Sequence, residues 1–132
     1  MRVVFDTNIF ISTLVIPGSI AEKAILKILV GHDQLVISKA IINEVLQVLA
    51  RKFSRDRENL SRVAVWLSDI GVLVRPKRKI HDLEDEPDNR MLECAVEGNA
   101  EAIVTGDKRM LELGRFQNIS IISLREYLDL KE

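Results

Sequence analysis

The sequence is short of the residues from which metal cages and disulfide frameworks are built. Its 132 residues include one cysteine, Cys94, and two histidines, His32 and His81. A lone cysteine excludes an intramolecular disulfide framework and any multi-cysteine metal site. With only two histidines, a zinc site rich in His and Cys is not expected either. Aromatic residues make up 5% of the chain, too few for the base-stacking platform of many single-strand binders. Charge of one sign is also missing, since 19 Lys and Arg face 20 Asp and Glu for a formal net charge of −1. Domains that coat DNA through bulk positive charge tend to have a pI above ~9. Near-neutrality argues against coating and leaves nucleic acid open as a substrate.

Long hydrophobic runs are lacking as well. The longest nearly apolar stretch, Ile9 to Ile16, falls short of the ~20 residues that a membrane helix requires. The opening Met1-Arg2-Val3-Val4-Phe5-Asp6 has an acid where a signal peptide needs apolar residues. The expectation is a cytoplasmic protein with no membrane partner. No linker, repeat or low-complexity tract interrupts the chain, so residues 1–132 read as a single domain.

What is present is the 47% hydrophobic and 30% charged content of a globular protein. Short β-branched runs at Arg2–Phe5, Leu35–Ile37, Val72–Val74, Ala102–Thr105 and Ser120–Ile122 predict brief buried strands. Helical patterns lie between them. Ser19-Ile20-Ala21-Glu22 and Ser123-Leu124-Arg125-Glu126 both fit the capping box, and Ser38 fits the N-cap of a helix over 39–52. A further helix is predicted over 56–70, stopped by Gly71. Another is opened by Asp85 as N-cap, with Pro87 just inside, and stopped at Gly98-Asn99. Strands alternating with helices imply an α/β fold, a mainly parallel sheet covered on both faces. Ligands of such sheets bind outside the carboxyl ends of the strands, where strand order reverses.

That rule directs attention to acids. Asp6 ends the first strand and Asp107 follows the fourth, so parallel pairing delivers both to one edge. Either acid can equally cap the helix after it. Glu44 lies beside the apolar stripe of the 39–52 helix, where a carboxylate must be solvated, paired or bound to a cation. Asp88 has the helical phase of Leu92 and Ala95, so it should point inward from the first turn; the solvated acidic run Glu84 to Asp88 is the ordinary alternative. If the four converge, they need a compensating cation. All-oxygen ligation suits Mg²⁺ or Mn²⁺, ions that activate water and stabilise both oxygens of a phosphoryl displacement. Thr7, Asn8 and Thr105 are placed to position water or to support the ligands.

The ordered set Val3-Val4-Phe5-Asp6-Thr7-Asn8-Ile9, Ser38 through Asn43-Glu44-Val45-Leu46, Asp85-Glu86-Pro87-Asp88-Asn89-Arg90-Met91-Leu92-Glu93 and Ile103-Val104-Thr105-Gly106-Asp107-Lys108 resembles a PIN-domain ribonuclease. It looks most like the bacterial and archaeal group described as toxin components of toxin–antitoxin pairs (VapC-like). The resemblance implies a three-layer α/β/α sandwich. It also implies a site in which Asp6, Glu44, Asp88 and Asp107 bind Mg²⁺ or Mn²⁺ and hydrolyse RNA, with Asp85 as a candidate to share the work of Asp88. It further implies an antitoxin partner and a homodimer, for which Phe53, Leu60 and Trp66 are candidate apolar contacts. Many relatives carry a further acid two residues past Asp107, where this chain has Arg109.

Basic groups for a substrate backbone must be local. Lys39, Arg90, Lys108 and Arg109 lie nearest the acids in sequence, and Arg75-Pro76-Lys77-Arg78-Lys79 is a concentrated run for which a solvated loop and an RNA contact are both open. Cys94 and Met91 read as packing residues. Two other functions fit an acid-bearing α/β fold. One is a catalytically silent PIN-like binding module. The other is a phosphoacceptor domain acting through Asp6, although Asn8 stands where the phosphatase form wants a second acid.

Overall fold

All five predicted strands form, with boundaries shifted by at most a residue. The computed structural model describes Met1–Leu130. The element order is β1 (Arg2–Phe5), α1 (Thr7–Val15), α2 (Ala21–Leu29), β2 (Gln34–Ser38), α3 (Lys39–Phe53), α4 (Arg57–Ile70), β3 (Gly71–Val74), α5 (Glu86–Glu97), β4 (Ala102–Val104), α6 (Lys108–Leu113), β5 (Arg115–Phe116), β6 (Ile119–Ile122) and α7 (Leu124–Asp129). The two-residue β5 has no counterpart in the sequence pattern. It is too short for any hydrophobic period and exists only as the antiparallel partner of β6.

The sheet has the order β3-β2-β1-β4-β6-β5, and every pairing except β5–β6 is parallel. The chain steps outward from β1 to β2 and β3, then returns to lay β4 on the other edge of β1. Right-handed crossovers in the two directions place α1 to α4 on one face, and α5 and α6 on the other. The strand order therefore reverses between β1 and β4. Their register pairs Val3 with Ala102 and Phe5 with Val104. The ladder extends one residue further, as the Asp6 N–H donates to the Val104 carbonyl at 2.9 Å.

Covering on both faces explains why Val3, Val4 and Phe5 are consecutive and all buried. In β2, Val36 faces α5, close enough that a Cβ on Gly98 would lie 2.2 Å from its Cγ1. Leu35 and Ile37 point the other way, as the period of two requires. Phe5 meets Tyr127 of α7 edge-on with ring centroids 5.5 Å apart, which fastens the last helix to the first strand.

The caps explain most helix starts. Ser38 accepts from the Ile41 N–H, Asp56 caps α4, and Ser123 with Glu126 forms the expected capping box. The box expected at Ser19–Glu22 does not form. Ser19 Oγ donates to the Ser12 carbonyl instead, and Glu22 reaches back to the Gly18 N–H, leaving α2 without a side-chain cap. Cys94 and Met91 are buried, and burial pushes the Cys94 thiol up to about 12, which suits a packing residue. Among the described residues no helix is long and apolar enough to cross a membrane.

Candidate active site at the β1–β4 switch point

Asp6 and Asp107 stand at the carboxyl ends of the two strands between which the order reverses. Each caps a helix, as the ordinary reading of a strand-end Asp expects. Asp6 Oδ1 accepts from the Asn8 N–H at 3.0 Å, and Asp107 Oδ1 accepts from the N–H groups of Arg109 and Met110. The two acids are also tied together. The buried Thr105 hydroxyl donates to Asp6 Oδ2 at 2.5 Å and accepts from the Asp107 N–H at 3.0 Å. One hydroxyl thus orients the Asp6 carboxylate and the backbone that carries Asp107. Asn8 contributes its main chain, while its side chain is exposed.

Asp88 and Asp85 come from the start of α5. Asp88 is buried, at 5% exposure, as its helical phase predicts. Asp85 occupies the N-cap position but makes no side-chain cap hydrogen bond, contrary to the expectation for it. Pro87 at the second helical position has no N–H to donate, which removes one of the two usual cap donors. Released from capping, Asp85 brings an oxygen to within 4.8 Å of oxygens of Asp88 and Asp107. Burial, then the charges of Asp85, Asp107 and Asp6, push the Asp88 carboxyl up to about 7, and Arg109 opposes them.

The loop that delivers Asp85 is clamped by Asn89, a fully buried residue that sequence reasoning missed. Its side chain accepts from the Leu83 N–H at 3.0 Å and donates to the Leu83 carbonyl at 2.8 Å. The available signal was its position directly after Asp88, on the inward turn of the helix. Glu93 was missed too. It is a buried acid that pairs with Arg90 at 2.9 Å and accepts from the Ile80 N–H.

Glu44 lies apart from the three-carboxylate cluster. It is half-buried in a neighbouring cleft of about 260 Å³, with Thr7, Ala40, Ile41, Glu86, Pro87 and Arg90 around it. Of the cationic candidates, Arg90 has its guanidinium engaged inside the protein, by Glu86, Glu93 and the Ile80 carbonyl. Arg109 is exposed, lines the pocket of Asp85 and Asp88, and lies 3.7 Å from Glu84. Lys39 and Lys108 are exposed.

The donor set fits a divalent cation. Three carboxylates present hard oxygens at ligand spacing, with neither His nor Cys among them. A cation held there would supply the counter-charge that the buried Asp88 lacks.

Comparisons with known proteins agree with this architecture. The chain is 31% identical over 117 residues to the uncharacterized protein MJ1680 of Methanocaldococcus jannaschii, covering 86% of this chain and 75% of that protein. The fold is similar to a chain of the VapBC2 structure from Rickettsia felis, bound to a DNA fragment from their promoter, with a TM-score of 0.66, 14% identity and coverage of 93% and 98% of the two chains. It is also similar to a chain of VapBC-1 from nontypeable Haemophilus influenzae, with a TM-score of 0.61, 21% identity and coverage of 95% and 99%. The PIN domain family matches residues 2–109, a span that holds β1 through β4 and all the acids of the site. The chain belongs to the PIN domain family.

Proposed function

We propose that residues 1–132 form one nuclease domain, an endoribonuclease that hydrolyses RNA phosphodiester bonds with Mg²⁺ or Mn²⁺. The observation that carries the reading is the cluster of Asp85, Asp88 and Asp107 within 4.8 Å, set beside Asp6 at the switch point of a PIN fold. Asp88, Asp107 and Asp85 would hold the metal directly, Asp6 from beside them, and Glu44 would act from the adjoining cleft. A divalent ion bound there supplies a lowered water pKa and charge stabilisation for the attacking and leaving oxygens.

The chain's own residues prepare that chemistry. Thr105 fixes the Asp6 carboxylate in one orientation, so it need not reorganise when substrate arrives. Asn89 holds the Asp85 loop, and the start of α5 places its N-terminal dipole beside the acids. Lys39, Lys108 and Arg109 are the exposed cations nearest the acids in sequence, where they can meet a phosphate backbone.

The test is cleavage of labelled single-stranded RNA by pure protein with Mg²⁺, with Mn²⁺ and with chelator. Wild type should cleave only with metal, and Asp6→Asn should lose at least a hundredfold. Equal cleavage by both proteins would identify a contaminant and sink the assignment. A phosphoacceptor role for Asp6 is disfavoured, since both its carboxylate oxygens are already hydrogen-bonded.

The resemblance to toxin–antitoxin proteins supports a narrower reading, that the chain is the toxin of such a pair and has a cognate antitoxin. Induced expression should then arrest growth, a small reading frame should lie immediately upstream, and co-expression of its product should restore growth; normal growth under strong induced expression counts against the reading. Homodimer formation is part of the same reading. Phe53 is exposed and Trp66 and Leu60 are half-buried, so light scattering on Trp66→Ala against wild type tests their contribution.

A further inference from the structure

The run Arg75-Pro76-Lys77-Arg78-Lys79 has no part in the carboxylate site, yet the fold does not leave it as a loose loop. Two acids of α5, one helical turn apart, hold its backbone. Glu97 accepts from the Lys77 N–H at 3.0 Å, and Glu93 accepts from the Ile80 N–H at 2.9 Å. Arg90 closes the arrangement by donating to the Ile80 carbonyl at 3.2 Å. The acids thus grip the main chain and leave the cationic side chains unmatched. Among the described residues, Arg75, Lys77, Arg78 and Lys79 form no ion pair, and all are exposed. Four cations in five residues repel one another, so holding them in register is unfavourable unless an anion is shared.

The cations line a cleft. With Lys39 and Arg90 they border a volume of about 280 Å³ between the end of β3 and the start of α3. That cleft adjoins the one that holds Glu44, because Ala40 and Arg90 border both. Along α5, Glu93 lies about 7.5 Å and Glu97 about 13.5 Å beyond Asp88 at 1.5 Å per residue. A strand with its reacting phosphate at the carboxylates must continue past them. This is a concentrated cationic cleft that adjoins the site, and no aromatic side chain lines it. Its chemistry matches a run of phosphates read through charge and not through bases.

We infer that the cleft between β3 and the start of α3 is a substrate track, in which Arg75, Lys77, Arg78 and Lys79 hold the sugar–phosphate backbone of single-stranded RNA beyond the bond that is cut. The inference rests on the nuclease reading for its choice of substrate. Binding along the track is electrostatic and independent of base sequence.

The experiment reads binding separately from cleavage. A fluorescein-labelled 20-nucleotide single-stranded RNA of mixed sequence is titrated by anisotropy, in chelator, from 25 to 200 mM NaCl. The variants are Arg75→Gln/Lys77→Gln/Arg78→Gln/Lys79→Gln and the milder Arg78→Gln/Lys79→Gln. A control removes the same charge far from the site, at Arg51→Gln/Lys52→Gln/Arg57→Gln/Arg62→Gln. Each phosphate that is no longer neutralised should lower the slope of log K against log salt by about 0.7. The fourfold variant should therefore lose about 2.8 in slope and at least tenfold in affinity at low salt, the double variant about half that slope, and the control less than 0.7. A slope change under 0.7 in the fourfold variant, an equal change in the control, or no binding by wild type overturns the track. If the fourfold variant does not fold, the double variant decides by the same thresholds. Failure of metal-dependent cleavage with the slope effect intact would count against catalysis and not against the track.

Discussion

Thr105 joins two acids through one hydroxyl, and that makes it the residue whose loss is easiest to interpret. Thr105→Val keeps the shape but strands Asp6 Oδ2 and the Asp107 N–H, both of which it now satisfies. It should destabilise the protein by about 1–3 kcal/mol in urea unfolding, while Thr105→Ser should recover most of the loss. Asp88 gives a prediction in pH. Its carboxyl, ordinarily near 3.8, is raised to about 7 by burial and by Asp85, Asp107 and Asp6. Between those values the native state keeps a proton that the unfolded chain has released. Stability of the metal-free protein should therefore fall as pH rises from about 4 to about 7 and level off above, since the native state binds more protons across that window. Thermal unfolding in chelator should show the decline, and Asp88→Asn should flatten it. Asp88 was legible from its helical phase alone. The liberation of Asp85 was not, because an N-cap is assigned by position, and position does not show whether the side chain takes up its cap hydrogen bond.

At the scale of elements, α5 does three jobs along its length. It opens with the acids, clamps the preceding loop through Asn89, and grips the basic run with Glu93 and Glu97. Its far end touches β2 so closely that only a hydrogen fits. Gly98→Ala would put a methyl 2.2 Å from Val36 Cγ1, forcing the helix outward or the valine off its rotamer. An overpacking loss of about 1–3 kcal/mol is expected by denaturant titration. Val36→Ala should partly rescue it, so that the double-mutant cycle is non-additive. Elements were legible wherever β-branched runs and caps coincided, as at β2 followed by Ser38. They were not where a side chain had a distant competitor. Ser19 loses its cap role to the Ser12 carbonyl, seven residues back in the preceding helix.

At the scale of the whole molecule, acids from the end of β1, the start of α5 and the turn after β4 are brought together because the strand order reverses between the two parallel central strands. The metal prediction belongs here, since the charges come from elements far apart in sequence. A divalent ion at 100 times its Kd should stabilise the folded protein by about 2.7 kcal/mol. The gain in melting temperature should be larger at pH 8 than at pH 5.5, where Asp88 holds its proton, and should be lost in Asp107→Asn. By itself the sequence determined the five longer strands, the main helices between them and which face of α5 turns inward. It also determined that acids end two strands, because hydrophobic period, caps and β-branched runs are local properties of the chain. The tertiary structure decided which carboxylates share a cation-sized space, setting Asp85 with Asp88 and Asp107 and leaving Glu44 in the next cleft. It also decided that Arg90 serves Glu86 and Glu93, and that the basic run is pinned along α5. Those outcomes depend on strand order and on loops folding back across the sheet. Distance between residues remote in sequence is a property of the packed chain, which no local pattern contains.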